Sequence, residues 1–394
     1  MEKGRLEGLE VDPQSEEVRW GSVYWAKVAR VDASLDAVFV NLDGDNIGIL
    51  HNADVRVRQK DGSWKKGGDI AIGKALKPGQ MIAVQAKSGY LPKNPDEHSR
   101  AEDKNPRLSM NITMPGRYLI YAPMDQEARV SQRIRNKKLR AQLMTMLEGM
   151  SGCEGCILRA SAAGTQTDML SREAKILQKM WGQIQAHFKG DEPSLIMLGP
   201  DAIQRSLSDQ AARQIGHIEL TVMDHFKLAE EWCDIFAPDL VTKIRPVEVP
   251  NADKGFALFE FHDIINDIES LFQPYGILTH GSTIIIQETA AATVIDVNSA
   301  ADGRGKLAIN LDAAKEIARH LRLRNLGGAI IVDFLKMNSR EDEKKLLKAL
   351  EEAFNQDPCT VQLHGFTKLG MVEATRQRRT PPLRERYDSA VGTQ

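Results

Sequence analysis

The chain has 394 residues, 42% of them hydrophobic, with 52 basic and 54 acidic side chains and a formal net charge of −2. That length suits two to four compact domains with real cores. The absence of a long apolar run and of a signal-peptide architecture predicts a cytoplasmic protein without a membrane span. Near-neutral charge rules out a globally basic nucleic-acid binder, so any such footprint is local, and four cysteines rule out a disulfide scaffold.

From Trp20 to about Val84 the pattern is one of short β segments broken by turns. Val23–Val31 alternates, Leu35–Leu42 follows, and Asp43-Gly44-Asp45 is a hairpin turn signal before Ile47–Leu50 resumes the strand. Short strands at this spacing predict a small OB-type barrel. Gly89–Asn105, with Pro92, Pro95 and many charges, reads as a mobile loop. Residues 107–200 form a distinct unit. It contains a basic run from Arg129 to Arg140 with six basic residues and no acidic one, and a helix expected over Arg172–His187 with Ile176, Leu177, Met180 and Ile184 on one face. Cys153-Glu154-Gly155-Cys156 has the spacing of half a zinc site, but Cys233 and Cys359 stand alone, so a structural turn is the simpler reading.

Residues 200–245 alternate a helix (202–214), a strand (217–220) and a second helix (226–236). The last block, from about 250 to 380, reads as an α/β domain: a helix over 256–272, a strand over 282–288, then two apolar β-type runs joined by a helix at 311–323. Gly327-Gly328 is expected to cap that helix. A further helix at 341–354 leads to a strand at 360–363.

The two apolar runs carry the most informative feature. Thr293-Val294-Ile295-Asp296-Val297-Asn298 and Ile330-Ile331-Val332-Asp333 each deliver an aspartate at the end of a strand, 37 residues apart. A carboxylate at a strand's carboxyl end sits at the sheet rim, where ligands bind. Two such strands joined by one helix bring the carboxylates side by side, an arrangement that calls for a cation between them. Oxygen-only ligation suits Mg²⁺, which takes one or two protein carboxylates plus substrate phosphates. This outlines a phosphodiester-cleaving site.

Several blocks resemble the ribonuclease E/G family: Thr293–Ser299, Leu311–Arg319, Leu321–Gly328 ahead of Asp333-Phe334, Pro106-Arg107-Leu108 with Pro115–Leu119, Glu269–Phe272, and Leu369–Arg378. Their order and spacing agree over nearly the whole chain. The resemblance implies an α/β multi-domain fold with a split RNase H-like domain (1–19 and 201–265). Inserted in it would be an S1-type OB-fold (20–106) and a 5′-sensor domain (107–200). A DNase I-like catalytic domain (266–380) and a polar tail (381–394) would follow. It further implies a Mg²⁺-dependent endoribonuclease that cuts single-stranded, AU-rich RNA to leave a 5′-phosphate and a 3′-hydroxyl, in RNA decay or ribosomal RNA processing. Asp296 and Asp333 would hold the metal, and Asn298 would bond the scissile phosphate or orient Asp296. Phe39, Tyr24 and Trp25 would offer stacking faces, Lys243 and Arg245 would meet RNA phosphates, and Arg159 with Ser161 would bind a 5′-phosphate.

The sequence departs from the family at several points. The arginine of the 5′-phosphate pocket is kept as Arg159, but Ala160 follows it where the family has threonine, leaving Ser161 as a substitute hydroxyl. A second barrel aromatic is replaced by Ile49. A basic residue after the Asn-Ser motif is replaced by Ala301, with Arg304 and Lys306 nearby. No Cys-Pro-x-Cys zinc link follows the catalytic domain, so a zinc-shared dimer is not expected, while a homodimer through other surfaces stays open. The competing readings are a non-catalytic single-stranded RNA-binding protein on the same scaffold and a phosphodiesterase acting on small nucleotides.

Overall fold

The structure is a computed structural model that describes residues 1–2, 4–13, 15–89, 105–131, 134, 136–210, 213–250, 256–337 and 339–391. The loop expected at Gly89–Asn105 falls almost entirely outside the described residues, as do Arg133 and Arg135 of the basic run. The chain divides into two compact units: Ser15–Val247, and Met1–Gln14 together with Glu248–Gln394. Among the described residues no helix is long and apolar enough to cross a membrane.

The barrel strands of the first unit are β1 (Val23–Asp32), β2 (Ala37–Asn41), β3 (Ile47–His51), β4 (Met81–Ala86) and β5 (Arg107–Ser109), with a separate small hairpin of Arg56–Arg58 and Trp64–Lys66 between β3 and β4. β1 pairs antiparallel with β2 and β4, β2 with β3, and β4 with β5, while β3 and β5 run parallel and close the ring. The result is the closed, OB-like barrel that the alternation predicts. Tyr24, Ala26 and Val28 point inward from β1 and meet Val38, Val40, Leu50, Ile82 and Val84. Period-two burial leaves Trp25 and Lys27 on the outside of the same strand. The turn at Asp43-Gly44-Asp45 forms as expected, with Gly44 at φ 107° and Asp43 Oδ1 accepting the Asn46 N–H at 2.9 Å.

Beyond the barrel, β6 (Leu119–Tyr121) and β7 (Cys156–Leu158) pair antiparallel within a four-stranded sheet. The helix α1 (Thr167–Gln185) buries Leu170, Ala174, Leu177, Trp181 and Ile184 in the same core. Glu173 on its inner face is buried, and its carboxylate accepts the N–H groups of Tyr118 and Leu119, each at 3.0 Å. Burial pushes its pKa up. Cys153, in the turn before β7, and Cys156, at its first position, are both buried, flanked by Gly152 and Gly155 at positive φ, and the Cys156 N–H bonds the Cys153 carbonyl at 2.9 Å. This is the structural turn.

The second unit is built on a six-stranded sheet. Its elements are β8 (Tyr275–Ile277), β9 (Thr283–Glu288), β10 (Ala292–Asn298), α2 (Lys306–Leu323), β11 (Gly328–Asp333), α3 (Arg340–Phe354), β12 (Val361–Phe366) and β13 (Val372–Arg376), in the spatial order β8-β9-β10-β11-β13-β12. Only β10 and β11 run parallel, joined by α2. Ile284, Ile286, Ile295, Val297, Ile330, Val332, Val372 and Ala374 alternate toward Ile317, Leu321, Leu346 and Leu350 of the two helices. The opposite residues of each strand are left on the other face. The amino-terminal segment packs here through Leu6 with Ile264, Ile268, Leu271, Leu323 and Leu383.

Two local expectations are corrected. The left-handed residue that ends α2 is Asn325 (φ 51°), not Gly327. The Asn325 and Leu326 N–H groups bond the carbonyls of Arg322 and Leu321, a Schellman cap that asparagine tolerates because its short polar side chain lowers the cost of αL. The single helix read over 256–272 is two short ones, Ala257–Phe261 and Ile265–Ser270, broken at Asp263 with φ 55°.

Candidate active site

Asp296 and Asp333 are direct cross-strand partners in the parallel register of β10 and β11, near the carboxyl ends of both strands. The alternation that buries Ile295 and Val297, and Val332 beside Asp333, turns both carboxylates to the open face, where both are exposed. Paired residues on neighbouring strands have Cβ atoms about 5 Å apart, close enough for one cation to be shared. Asn298, two residues on and therefore on the same face, donates from Nδ2 to Asp296 Oδ2 at 2.9 Å. That bond leaves Asp296 Oδ1 open and orients the carboxylate. Among the described residues no cation pairs with either aspartate, and the Asp333 carboxylate accepts no hydrogen bond.

The donor set fits a hard divalent cation. It offers carboxylate oxygens only, and among the described residues no third histidine, cysteine or acidic group joins them as a cage. A site with two carboxylates leaves the remaining coordination positions to water and phosphate oxygens, as Mg²⁺ prefers. Of the two basic substitutes near Ala301, Arg304 is committed: it bonds Asp302 and Asp312, each at 2.7 Å, and Asp302 in turn accepts from Ser282. The Arg304 guanidinium holds Asp302 well below the usual carboxylate range. Lys306, at the start of α2, is exposed.

The expected RNA-contact residues divide. Phe39 stands on the outside of β2, half-buried, with the Arg30 guanidinium 3.7 Å over its ring. With Ala29, Arg30, Ile47 and Asn105 it lines a cleft of about 310 Å³. Arg245 is exposed on the short strand Ile244–Pro246. Tyr24 is a correction: it is 2% exposed in the barrel core, so its ring has no free face. Trp25 points outward but stacks on Phe188 at 5.5 Å, with its indole N–H donated to the Gly190 carbonyl at 2.9 Å. Lys243 donates to the Ile215 carbonyl at 2.7 Å and serves the local fold.

Arg159 and Ser161 follow directly on β7, and both side chains are engaged. Arg159 donates to the Gly116 carbonyl at 2.8 Å and pairs with Asp209 at 3.8 Å, while the Ser161 hydroxyl donates to the Arg117 carbonyl at 2.9 Å. Arg117 itself is clamped by both carboxylate oxygens of Asp239, and this hydrogen-bonded pairing lowers the Asp239 pKa.

The model of the ribonuclease E/G family matches residues 113–379, which include both aspartates and Asn298. The chain belongs to the ribonuclease E/G family. It is 29% identical to ribonuclease G of Salmonella typhimurium over 389 residues, covering 96% of this chain and 76% of that protein. It is 30% identical to ribonuclease E of Haemophilus influenzae over 393 residues, and 31% identical to ribonuclease E of Synechocystis over 398 residues. Against those two it covers 40% and 56% of their length. The ribonuclease E/G match thus spans the six-stranded sheet, its two helices and the four-stranded sheet of β6 and β7 alike. The sequence reading did not single out Tyr275, Ile277 and Ile285, which share the open face with the aspartates. A three-residue strand such as β8 offers too little alternation to reveal its face.

Proposed function

We propose that this chain is an endoribonuclease that hydrolyses single-stranded RNA at Asp296 and Asp333 with Mg²⁺, leaving 5′-phosphate and 3′-hydroxyl ends. Membership of a ribonuclease family supports the general activity, and the single observation that supports the chemistry is the side-by-side register of the two aspartates with Asn298 bonded to one of them. Bound between the carboxylates, Mg²⁺ would supply Lewis acidity and a water of lowered pKa. The protein's part is to hold that charge at the sheet rim. Asp296 and Asp333 provide the anionic oxygens. Asn298 keeps Asp296 in one rotamer, and its amide can follow the phosphate as charge develops. The β-sheet backbone fixes all three at no cost in reorganisation.

RNA is held by a stacking face at Phe39 and by charge at Arg245. Aromatic stacking is sequence-tolerant, so AU preference would come from the flexibility of the strand rather than from base readout. Sensing of a 5′-phosphate by Arg159 would require it to exchange its ion pair with Asp209 for the phosphate. The biological setting we assign is RNA decay or ribosomal RNA processing.

The test is cleavage of a 5′-labelled single-stranded AU-rich RNA by the wild type and by Asp296→Ala, with and without Mg²⁺. Internal cuts that need Mg²⁺ and vanish in the variant support the reading. Equal binding without cutting in both proteins would leave a non-catalytic RNA-binding protein.

A further inference from the structure

We infer that Tyr275, flanked by Ile277 and Ile285, is a base-stacking platform for the nucleotide beside the scissile phosphate; this rests on the reading of Asp296 and Asp333 as the cleavage centre. The register carries the argument. Tyr275 pairs with Ile285, Ile285 with Asp296, and Asp296 with Asp333, so the four form one row across four adjacent strands. Directly paired residues share a face, which puts the ring and the carboxylates on the same open surface. With neighbouring strands about 4.8 Å apart, Tyr275 stands roughly 10 Å from Asp296. Ile277 heads the next row, where it pairs with Thr283 and Thr283 with Asn298.

Exposure and rigidity separate this patch from ordinary surface. Tyr275 is 45% exposed, Ile277 68% and Ile285 37%, three large apolar side chains together on one strand pair. The strand beneath them is pinned: the Tyr275 carbonyl accepts from Arg324 Nη2 at 3.2 Å. Gly276 lets the sheet sit down on His320, because a Cβ there would lie 2.6 Å from its Nε2. A ring held on a fixed strand loses little freedom when a base stacks on it.

Polarity then selects the occupant. On the far side of the aspartates the same sheet presents Glu373, Gln362 and His364, polar groups with an acid among them. A strand of RNA whose phosphate lies at the acidic pair would meet one like charge there, Glu373, and no phenyl or phenol face among these three groups. Toward β8 it meets an apolar surface with an aromatic face, which suits a base and not a phosphate. Stacking is indifferent to base identity, so this platform sets the position of the RNA across the metal-binding pair rather than its sequence.

The experiment uses a short single-stranded RNA carrying 2-aminopurine at each position in turn, with Ca²⁺ in place of Mg²⁺ to neutralise the aspartates without turnover. In the wild type, quenching should peak at one position, adjacent to the cut mapped with Mg²⁺. Tyr275→Ala should remove that peak and raise KM roughly tenfold with kcat changed far less, and Tyr275→Phe should restore both. Quenching that is uniform along the RNA, or unchanged in Tyr275→Ala, overturns the platform even if the wild type cleaves. An effect of Tyr275→Ala on self-association alone, with RNA quenching intact, overturns it as well. Failure of the wild type to cleave at all is read separately, as failure of the endonuclease reading, while the quenching still decides whether the ring takes a base.

Discussion

Asp296 and Asp333 face one another across a single pair of parallel strands, with Asn298 bonded to the first and no cation among the described residues neutralising either. Two like charges in that position oppose folding slightly, and a divalent ion between them would relieve the repulsion.

Replacing either aspartate by asparagine should therefore separate stability from function. We expect Asp296→Asn and Asp333→Asn to lose on the order of 10³-fold in single-turnover cleavage, the value of several kcal/mol of Lewis-acid stabilisation. Their melting temperature without metal should equal or slightly exceed that of the wild type. Added Mg²⁺ should raise the wild-type melting temperature and leave the variants unmoved, and chelation with EDTA should make the wild type resemble them. A Mg²⁺-induced shift that persists in both variants would place the metal elsewhere.

Arg376 sits in the run Leu369–Arg378 that resembles the ribonuclease E/G family, yet its role is structural. Both it and Asp357 are at most 3% exposed, joined at 2.8 and 3.1 Å, and Arg376 also donates to Asn325 Oδ1 and the Leu326 carbonyl. It thus ties β13 to the cap of α2. Arg376→Ala strands a buried carboxylate, and we expect a loss of about 3–5 kcal/mol in urea denaturation. A loss below 1 kcal/mol would contradict this account.

Glu316 on α2 makes stability depend on acid. Burial alone would raise its pKa, but His320, Arg319 and Arg5 outweigh that and hold it down to about 2 against an ordinary 4.5. A depressed folded-state pKa stabilises fully above the unfolded value. That contribution, on the order of 3 kcal/mol, is lost as pH falls from about 4.5 through 2. The stability gap between wild type and Glu316→Gln should therefore be large at pH 6 and shrink steadily toward pH 3. A gap independent of pH would show that the carboxylate's charge is not what matters.

Gly116 is the contact point between its turn and Glu173. A Cβ there would lie 2.1 Å from Glu173 Oε1, which is itself held by two backbone N–H groups and cannot retreat freely. Gly116→Ala should destabilise by about 1–3 kcal/mol through this overpacking, measurable as a lower urea midpoint at unchanged slope. A neutral effect would mean that the Glu173 clasp is loose.

Much of the fold could be read from one-dimensional pattern. Alternation in Val23–Val31 and the Asp43-Gly44-Asp45 signal specify the barrel hairpins, and apolar runs ending in Asp296 and Asp333 announce strands with carboxylates at their ends. Those signals are local, set by side-chain period and turn chemistry. The helix break at Asp263 was hidden because the apolar spacing continues across it. The cap at Asn325 was hidden by the more obvious glycines next to it.

What the sequence by itself determined is which residues share a face of one strand: Asp296 with Asn298, Tyr24 with Ala26, Trp25 with Lys27. Which face is inside, and what covers the other, was decided by tertiary structure. Tyr24 went to the core, Phe188 closed over Trp25, and the Ile215 carbonyl took Lys243. The row from Tyr275 through Ile285 and Asp296 to Asp333 depends on the register of three strand pairings. Register is fixed by burying one face of the whole sheet against its helices, a cooperative constraint that no single segment carries.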